Sequence, residues 1–412
     1  MNGNRRSHGA GRPDGRVTAG TPSLLRAMNE RSILDLIHHR GPLSRAQVAR
    51  VSGLSKPTVS LALTGLLDAR LVREVGRSRG DRGPSALLYE VNPNAGYVVG
   101  IDVGRRWARA EIANIAGTGI ARLDERAKVG SAKTLVGQIG ALSRRLCSQA
   151  GVSWGDVTQT VLGSPGVFDP TRDYVAMAPN LPGWSRHGLA DAVRGQLGTN
   201  VTFENDVNLA AVGEREHGHG RNVDSFVFLS VGTGVGMALV IDGRLYRGAH
   251  GAAGEIAYLP IGVGDPHDPA NRRRGAFEEA ASAAGVVRVA RELGMPASVT
   301  AERVFAAARR GDMAARKAVD VEARRLAMAI ATVTPMLDPE LVILGGGIGR
   351  NGDLLLETIE LELRRLIPFR PRVVISALGP DAVLQGAVAT ALEVAREKVF
   401  HRAPGRQIQQ VG

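Results

Sequence analysis

Residues 226–241 combine residue types that could hold a negatively charged group. Two apolar runs flank a loop that contains Gly232, Thr233, Gly234 and Gly236. Glycines at this spacing let backbone N–H groups converge on an oxyanion, because no Cβ atom blocks the approach, and the threonine adds a hydroxyl donor. A tight β-hairpin that needs positive φ angles would have the same composition. This stretch alone therefore leaves a phosphate loop and a simple hairpin open.

Upstream of this loop, a short β-like run over residues 201–206 ends in an amide and a carboxylate, Asn205 and Asp206. An Asn-Asp pair at the end of a strand, followed by a glycine-rich hairpin, resembles the ROK family of sugar kinases and sugar-responsive repressors. Three later segments resemble further motifs of that family: residues 251–256, 275–278 and 344–348. The matches keep the family's order between about residues 98 and 395, and together they are far more specific than any one of them.

The resemblance implies a two-lobed actin-like ATPase (ribonuclease H-like) fold of the α/β class over residues 98–401. Lobe 1 would comprise about residues 98–200 plus a C-terminal helix at 382–398, and lobe 2 about residues 201–381. In the family the Asn and Asp bind sugar hydroxyls, and the Asp is the catalytic base. The sugar site implied for this chain is Gly166, Asn180, Asn205, Asp206, Glu255, Tyr258 and Glu278. The implied remnants of phosphate loops are Asp102, Gly104, Gly232, Thr233, Gly234, Gly345 and Gly346.

The first phosphate loop departs from the family pattern. Kinases continue this loop with Gly-Thr or a similar pair, whereas Arg105 and Arg106 follow Gly104 here. An arginine can clamp a phosphate, but the loss of the glycine obstructs the approach of a phosphate chain more than the charge helps. We therefore expect no ATP and a non-catalytic kinase-like domain. Asp206 would act as a base only under the alternative, a ROK sugar kinase with an attached DNA-binding domain.

The family's structural zinc site is also altered. Its members carry a His after the sugar-binding Glu and then a run of three Cys ligands. The corresponding positions here hold Tyr258, Pro269, Asn271 and Ala276. His250 and His267 lie nearby, but two imidazoles without thiolates make a poor structural zinc site. We expect no metal and no cofactor.

Residues 21–91 predict a winged helix-turn-helix domain of the α+β class. The sequence from Ser44 to Gln47 has the form of a capping box that opens a short helix, and Gly53 lies in the following turn. Ser55 caps a third helix whose outward side chains are small hydroxyls and a cation, which suit a major groove. The predicted DNA contacts are Arg45, Ser55, Lys56, Thr58, Ser60, Arg77, Arg79 and Arg82. The alternative is a solvated basic loop on a winged helix that binds protein.

Positive charge is concentrated at the N-terminus. Residues 1–90 contain 15 Lys and Arg but 7 Asp and Glu, so they carry +8 of the chain's net +12. This asymmetry indicates a polyanionic partner. A genome that favours arginine would explain the overall excess but not its position.

Length and composition define the remaining organisation. With 412 residues, 44% of them hydrophobic, the chain has material for two or three domains. We expect a disordered basic tail at 1–20, a linker at 92–97 and a second tail at 402–412. No apolar run reaches roughly 18 residues and no signal peptide is evident, so we expect no membrane span. The lone Cys147 excludes an internal disulfide framework and favours a cytoplasmic protein.

These features predict a DNA-binding transcriptional regulator, a repressor, whose affinity for a double-stranded operator is controlled by a sugar or a sugar phosphate. Because one recognition helix reads only a few base pairs, we expect a homodimer or a homotetramer on a near-palindromic operator.

Overall fold

The computed structural model describes residues 22–77, 85–169, 172, 174–176, 178, 181–198, 200–261, 265 and 268–402. The chain divides into two units. The first runs up to Asn92 and also includes the residues from Val399 onward, and the second runs from Pro93 to Lys398. Residue 402 still belongs to a helix, while the rest of the predicted C-terminal tail and the predicted N-terminal tail lie outside the described residues. No helix in the described part of the chain is both long and apolar enough to cross a membrane.

The first unit contains three helices and a three-stranded antiparallel sheet of order β1-β3-β2. Its helices are α1 (Pro22–Arg40), α2 (Arg45–Ser52) and α3 (Lys56–Asp68), and its strands are β1 (Leu43–Ser44), β2 (Val72–Arg77) and β3 (Leu87–Val91). This is a winged helix, with the wing formed by β2 and β3.

Local capping sets the bounds of α2, as its sequence predicts. The Ser44 hydroxyl accepts a hydrogen bond from the Gln47 amide, and the Gln47 side chain accepts one from the Ser44 amide at 2.8 Å. At the other end, Gly53 adopts a φ of 72° and donates its N–H to the Ala49 carbonyl. Glycine tolerates this left-handed conformation, so the helix ends here and the chain turns into α3.

The second unit is built on two five-stranded sheets with the same arrangement. The first has the order β10-β7-β4-β5-β6 and the second β13-β12-β11-β14-β15. In each, three neighbouring strands are parallel and two more extend the sheet in antiparallel fashion. Strands β8 and β9 form a separate two-stranded antiparallel sheet. The strands are β4 (Tyr97–Val103), β5 (Trp107–Asn114), β6 (Gly119–Arg126), β7 (Val157–Ser164), β8 (Val167–Asp169), β9 (Tyr174–Ala176), β10 (Val201–Asn205), β11 (Phe226–Val231), β12 (Val235–Ile241), β13 (Arg244–Tyr246), β14 (Leu341–Gly345) and β15 (Arg372–Ile375).

Helices accompany both sheets, as expected for an α/β unit. They are α4 (Ala132–Ala150), α5 (Leu189–Leu197), α6 (Asp206–His217), α7 (Pro269–Arg274), α8 (Ala276–Ala281), α9 (Ala283–Glu292), α10 (Ala301–Arg309), α11 (Met313–Leu337), α12 (Gly346–Gly349), α13 (Gly352–Leu366) and α14 (Ala382–Arg402). Every residue of β7 and β14 is buried, because parallel central strands are covered on both faces.

The expected lobe boundary needs a correction. Strand β10 pairs in parallel with β7 along its whole length, from Val201 opposite Thr160 to Asn205 opposite Ser164. The first sheet therefore continues past the boundary that we expected at about residue 201. Periodicity does not reveal this pairing, because the partner strand is separated from β10 by the intervening helix α5.

Two helices of the second unit cross at glycines. A Cβ atom on Gly386 of α14 would lie 1.7 Å from the Leu209 carbonyl oxygen of α6, and one on Gly213 of α6 would lie 2.3 Å from the Ala382 carbonyl oxygen. Both distances are far inside van der Waals contact. The backbones of α6 and α14 therefore touch directly, and no other residue type fits at either position.

This crossing predicts a sharp difference between two Gly→Ala substitutions. Gly386→Ala should lower the free energy of unfolding by about 3 kcal/mol, because the added methyl group forces the two helices apart. Gly137→Ala in α4 should raise it by up to about 1 kcal/mol, because nothing lies within 4 Å of its Cβ position and Ala favours a helix. Urea denaturation followed by circular dichroism measures both. Equal effects would show that α6 and α14 are not in direct contact.

Candidate functional site

The second unit contains a cavity of about 520 Å³. It is lined by segments that follow the strands of the first sheet and by segments of the second sheet. Six predicted sugar-site residues line it: Gly166, Asn205, Asp206, Glu255, Tyr258 and Glu278. Five predicted phosphate-loop residues line it too: Gly104, Gly232, Thr233, Gly234 and Gly346. Asn180 lies outside the described residues, and Asp102 and Gly345 do not line the cavity.

The Asn205 side chain forms hydrogen bonds with backbone groups and also lines the cavity. Its Oδ1 caps α6 by accepting hydrogen bonds from the amides of Val207, at 2.9 Å, and Asn208, at 3.2 Å. Its Nδ2 donates to the Gly166 carbonyl at 3.1 Å. The amide therefore holds the start of α6 against the turn at Gly166, which adopts a φ of 96°. One N–H of the Asn205 amide remains for a ligand.

Asp206 is the first residue of α6, and its Oδ1 accepts a hydrogen bond from the Val207 amide at 2.9 Å. Burial raises the pKa of Asp206 to about 7, and the nearby carboxylates of Asp102 and Glu255 add to the rise. Near neutral pH this carboxyl group is present in both protonation states. It can therefore donate a hydrogen bond to a hydroxyl or accept one, or take a proton as a base.

Two glutamates from the second sheet's side complete the polar lining. Burial raises the pKa of Glu255, and the neighbouring Glu278 raises it further. Burial also raises the pKa of Glu278, whose Oε2 accepts a hydrogen bond from the Val235 amide at 3.0 Å. Glu278 thereby anchors the glycine-rich loop between β11 and β12. Tyr258, which stands where the family has a His, lines the same cavity and is 41% exposed.

The glycine-rich loop is a hairpin between β11 and β12, but positive φ angles do not explain its glycines. Neither Gly232 nor Gly236 is in the left-handed region, whereas the turn after β12 has Asp242 at 51° and Gly243 at 70°. A Cβ on Gly232 would lie 3.3 Å from the Gly347 amide nitrogen. Two glycine segments therefore lie close together at this wall of the cavity.

The glycine turn after β14 has a packing explanation. A Cβ on Gly345 would lie 2.3 Å from the Phe228 ring. Gly346 adopts a φ of 78°, and a Cβ there would lie 2.3 Å from the Val231 carbonyl oxygen. These two glycines are required to pack α12 against β11, whether or not a phosphate binds.

The first phosphate loop fits ATP poorly. Asp102 is buried, and its carboxylate accepts a hydrogen bond from Arg109 Nη1 at 2.8 Å. Arg105 lines the cavity beside Gly104, as expected. The expectation that Arg106 also obstructs the loop is not met, because its side chain forms an ion pair with Glu302 of α10. Arg109 was not among the predicted residues, although it lies in the same strand pair as Asp102.

The residues at the family's zinc positions do not fit zinc. The Asn271 Nδ2 donates a hydrogen bond to the Asp265 carbonyl at 2.7 Å, and the Asn271 carbonyl accepts one from the Gly275 amide at 2.7 Å. Hydrogen bonds therefore hold this segment together. Across the described residues, no group of three His, Cys, Asp or Glu side chains is placed to hold a metal ion.

The predicted DNA contacts lie on the first unit, and some already have partners there. The hydroxyls of Ser55 and Thr58 share a 2.8 Å hydrogen bond at the start of α3. Arg45 donates to the Tyr89 hydroxyl at 2.9 Å and lies over its ring. The other described members of the set are Lys56 and Ser60 on α3 and Arg77 at the end of β2. Arg79 and Arg82 lie outside the described residues.

Some cavity residues escaped the sequence analysis. They are Ser185, Ser230, Arg273 and Arg274. Arg273 and Arg274 directly precede the motif at residues 275–278, so their position beside a predicted sugar-binding segment was the one signal that could have found them.

Known families match both units. The ROK family matches residues 98–394, which is most of the chain. This chain belongs to the ROK family. The MarR family matches residues 26–82, within the winged helix.

Individual relatives include both repressors and kinases. The xylose repressor of Caldicellulosiruptor bescii is 27% identical over 387 residues, which covers 90% of this chain and 96% of the repressor. The glucokinase of Thermotoga maritima is 34% identical over 247 residues, 55% of this chain and 77% of the enzyme. A crystal structure of a ROK family transcriptional regulator, homologous to the E. coli MLC protein, has a TM-score of 0.74 and 23% identity. It covers 92% of this chain and 99% of its own, and it shows the fold.

The raised pKa of Asp206 predicts a pH-dependent stability. In the unfolded ROK chain this carboxyl group ionises near its ordinary value of 3.8, whereas in the folded chain it keeps its proton up to about pH 7. Folding therefore becomes less favourable as the pH rises between these values. The increase in Tm caused by Asp206→Asn should grow from about pH 4 to pH 7 and stay constant above, as thermal scans without ligand can measure.

Asp242→Asn is the matched control, because Asp242 is an exposed carboxylate in a hairpin turn. It should leave the shape of the parent's Tm profile against pH unchanged, because it removes no buried carboxyl group. A pH-independent effect of Asp206→Asn would contradict the raised pKa.

Proposed function

We propose that this ROK family chain is a DNA-binding transcriptional repressor whose operator affinity is controlled by a sugar or sugar derivative bound in the cavity. The observation that carries the proposal is the cavity itself, which gathers Asn205, Asp206, Glu255 and Glu278 in a chain that begins with a winged helix. The xylose repressor relative extends over 90% of this chain, whereas the glucokinase relative covers 55%. The repressor relative therefore matches a larger share of this chain than the kinase relative does.

Carboxylates and amides suit sugar recognition because each hydroxyl of a sugar both donates and accepts hydrogen bonds. The ligand would be bound by groups on both sides of the cavity, with Gly166 from the first sheet's side. Glu255, Tyr258 and Glu278 would contribute from the other side. Contacts shared between the two sides favour a closed cavity over an open one. A ligand can shift that equilibrium only by its difference in affinity for the two states.

Two features support DNA binding: the positive charge of the N-terminal region and the side chains that α3 and the wing expose. The region with the winged helix carries most of the chain's excess positive charge. Helix α3 presents Lys56 and Ser60, and the wing carries Arg77. Phosphate contacts from such cations position a protein on DNA, and base contacts from α3 would provide specificity. We propose a dimer or a dimer of dimers on a near-palindromic operator. The expected linker at 92–97 overlaps the start of the second unit at Pro93, and its last residue already belongs to β4.

We propose further that the kinase-like unit is not catalytic. Asp102 is already paired with Arg109, and Arg105 occupies the wall where a phosphate chain would pass. One observation favours the alternative, a sugar kinase with a DNA-binding domain. A carboxyl group with a pKa of about 7, as for Asp206, is well matched to general-base catalysis.

A phosphorylated sugar is the second candidate ligand. Arg105 and Arg273 both line the cavity, and neither makes an ion pair with any described residue. Guanidinium groups bind phosphate well. The ligand screen should therefore include each sugar in its free and its phosphorylated form.

The sugar response is tested by Asp206→Ala and Glu255→Ala. Both variants should lose the response to the sugar identified by a thermal-shift screen, because they remove hydrogen-bonding groups from the cavity. Both should keep the ligand-free affinity for the operator. The parent should show a change of roughly 5–150-fold between operator titrations with and without the sugar.

Glu357→Ala is the control, because Glu357 is exposed on α13 and does not line the cavity. It should respond to the sugar as the parent does. If Asp206→Ala and Glu255→Ala also respond normally, the effector binds elsewhere and the assignment of this cavity is wrong.

The absence of catalysis is tested with a coupled ATP assay over a panel of hexoses and pentoses. We expect turnover below about one-hundredth of the roughly 1–100 s⁻¹ typical of kinases. The Thermotoga maritima glucokinase serves as the positive control. Turnover with any of these sugars that Asp206→Asn abolishes would establish the kinase alternative.

A further inference from the structure

Helix α3 carries one large apolar side chain on its outward face. Leu61 is 54% exposed, although Val59, Leu63 and Leu66 of the same helix are completely buried. From the sequence, the outward side chains of α3 were expected to be only small hydroxyls and a cation.

The position of Leu61 on α3 shows which face of the helix carries this exposed side chain. Pro57 lies four residues before it and Thr64 three residues after it, so all three share one face of the helix. Ser60 is its immediate neighbour on that side. Pro57 and Thr64 are exposed as well. Leu61 therefore lies on the surface that α3 turns away from its own core.

Most hydroxyl groups near Leu61 already have partners within α3. The Ser55 and Thr58 hydroxyls bond to each other at 2.8 Å, and the Thr64 hydroxyl donates to the Ser60 carbonyl at 3.0 Å. Hydroxyls that bond within the helix have fewer hydrogen bonds to offer to base edges. An apolar contact is the form of recognition that this face offers besides Lys56 and Ser60.

The positive charge of the winged-helix unit favours DNA as the partner that covers Leu61. Exposed cations on the same unit include Arg45, Arg50, Lys56 and Arg77. DNA neutralises such cations and offers apolar groups in its major groove, so it suits a unit that exposes both cations and a leucine on α3. The apolar group exposed there is the C5 methyl of thymine.

We propose that Leu61 contacts a thymine methyl group and so specifies a T·A pair at one position of each operator half-site. This inference rests on the proposed DNA-binding function. Leu61 would then determine specificity without any hydrogen bond, while cations supply most of the affinity.

The test removes the methyl group alone. An operator is first selected from random duplex DNA with the full chain, and each thymine of one half-site is then replaced singly by deoxyuridine. At one position this replacement should weaken binding by the parent roughly four-fold, the value for one buried methyl-sized group. Leu61→Ala should bind the thymine and deoxyuridine operators equally, while Leu61→Met, which keeps an apolar contact, should still discriminate.

Leu361→Ala is the matched control, because Leu361 is 46% exposed on α13, outside the winged helix. It should keep the full discrimination of the parent. Thermal scans should show that Leu61→Ala folds as the parent does, since an exposed leucine contributes little to the core.

Three results would overturn the inference. If no deoxyuridine replacement affects the parent, or if Leu61→Ala discriminates as the parent does, Leu61 reads no methyl group although DNA binding stands. If Leu61→Ala changes the oligomeric state with an unchanged deoxyuridine profile, a second copy of the chain covers this face. If selection enriches no operator at all, the proposed DNA-binding function fails and this inference fails with it.

Discussion

The direct contact between α6 and α14 constrains the whole ROK unit. Because each helix presents a glycine to the other, at Gly213 and Gly386, their backbones cannot separate or slide without losing close packing. Helix α6 begins at Asp206, immediately after its cap Asn205. At its other end the buried carboxylate of Glu214 accepts hydrogen bonds from the Ser376 hydroxyl, at 2.6 Å, and the Leu378 amide, at 3.0 Å. The polar groups at the start of α6 are thereby tied to the segment that leads into α14.

A series of ion pairs connects β4 to the residue before α14. Asp102 pairs with Arg109 at 2.8 Å, and Arg109 lies 3.5 Å from Asp124. Arg122 then joins Asp124, at 2.8 Å, to Asp381, at 2.7 Å, directly before α14 begins. Arg122 lowers the pKa of Asp124, which keeps that carboxylate charged. Helix α14 is thus held by close packing and by charge. Its last residues, from Val399, belong to the unit that contains the winged helix.

The carboxyl groups of the cavity bear on whether a ROK chain binds a sugar only or also phosphorylates it. Burial raises the pKa of Asp206, Glu255 and Glu278 alike, and that of Asp206 reaches about 7, so at least this carboxyl group can donate as well as accept hydrogen bonds near neutral pH. That mixture suits a polyhydroxylated ligand. A phosphoryl transfer would need groups that bind phosphate as well. At the first phosphate loop, Asp102 is paired with Arg109 and Arg105 lines the cavity. The function of a ROK chain is decided at such positions and not by the fold.

The sequence by itself determined whatever depends on neighbouring residues. The capping box of Ser44 and Gln47 and the cap at Ser55 join residues three apart, so their bonds follow from spacing. The order of the ROK motifs indicated the fold through their resemblance to the family. Only the tertiary structure decided the ion pair of Arg106 with Glu302 and the contact of α6 with α14. These contacts join segments that come together only when the sheets and helices pack, and no local pattern encodes them.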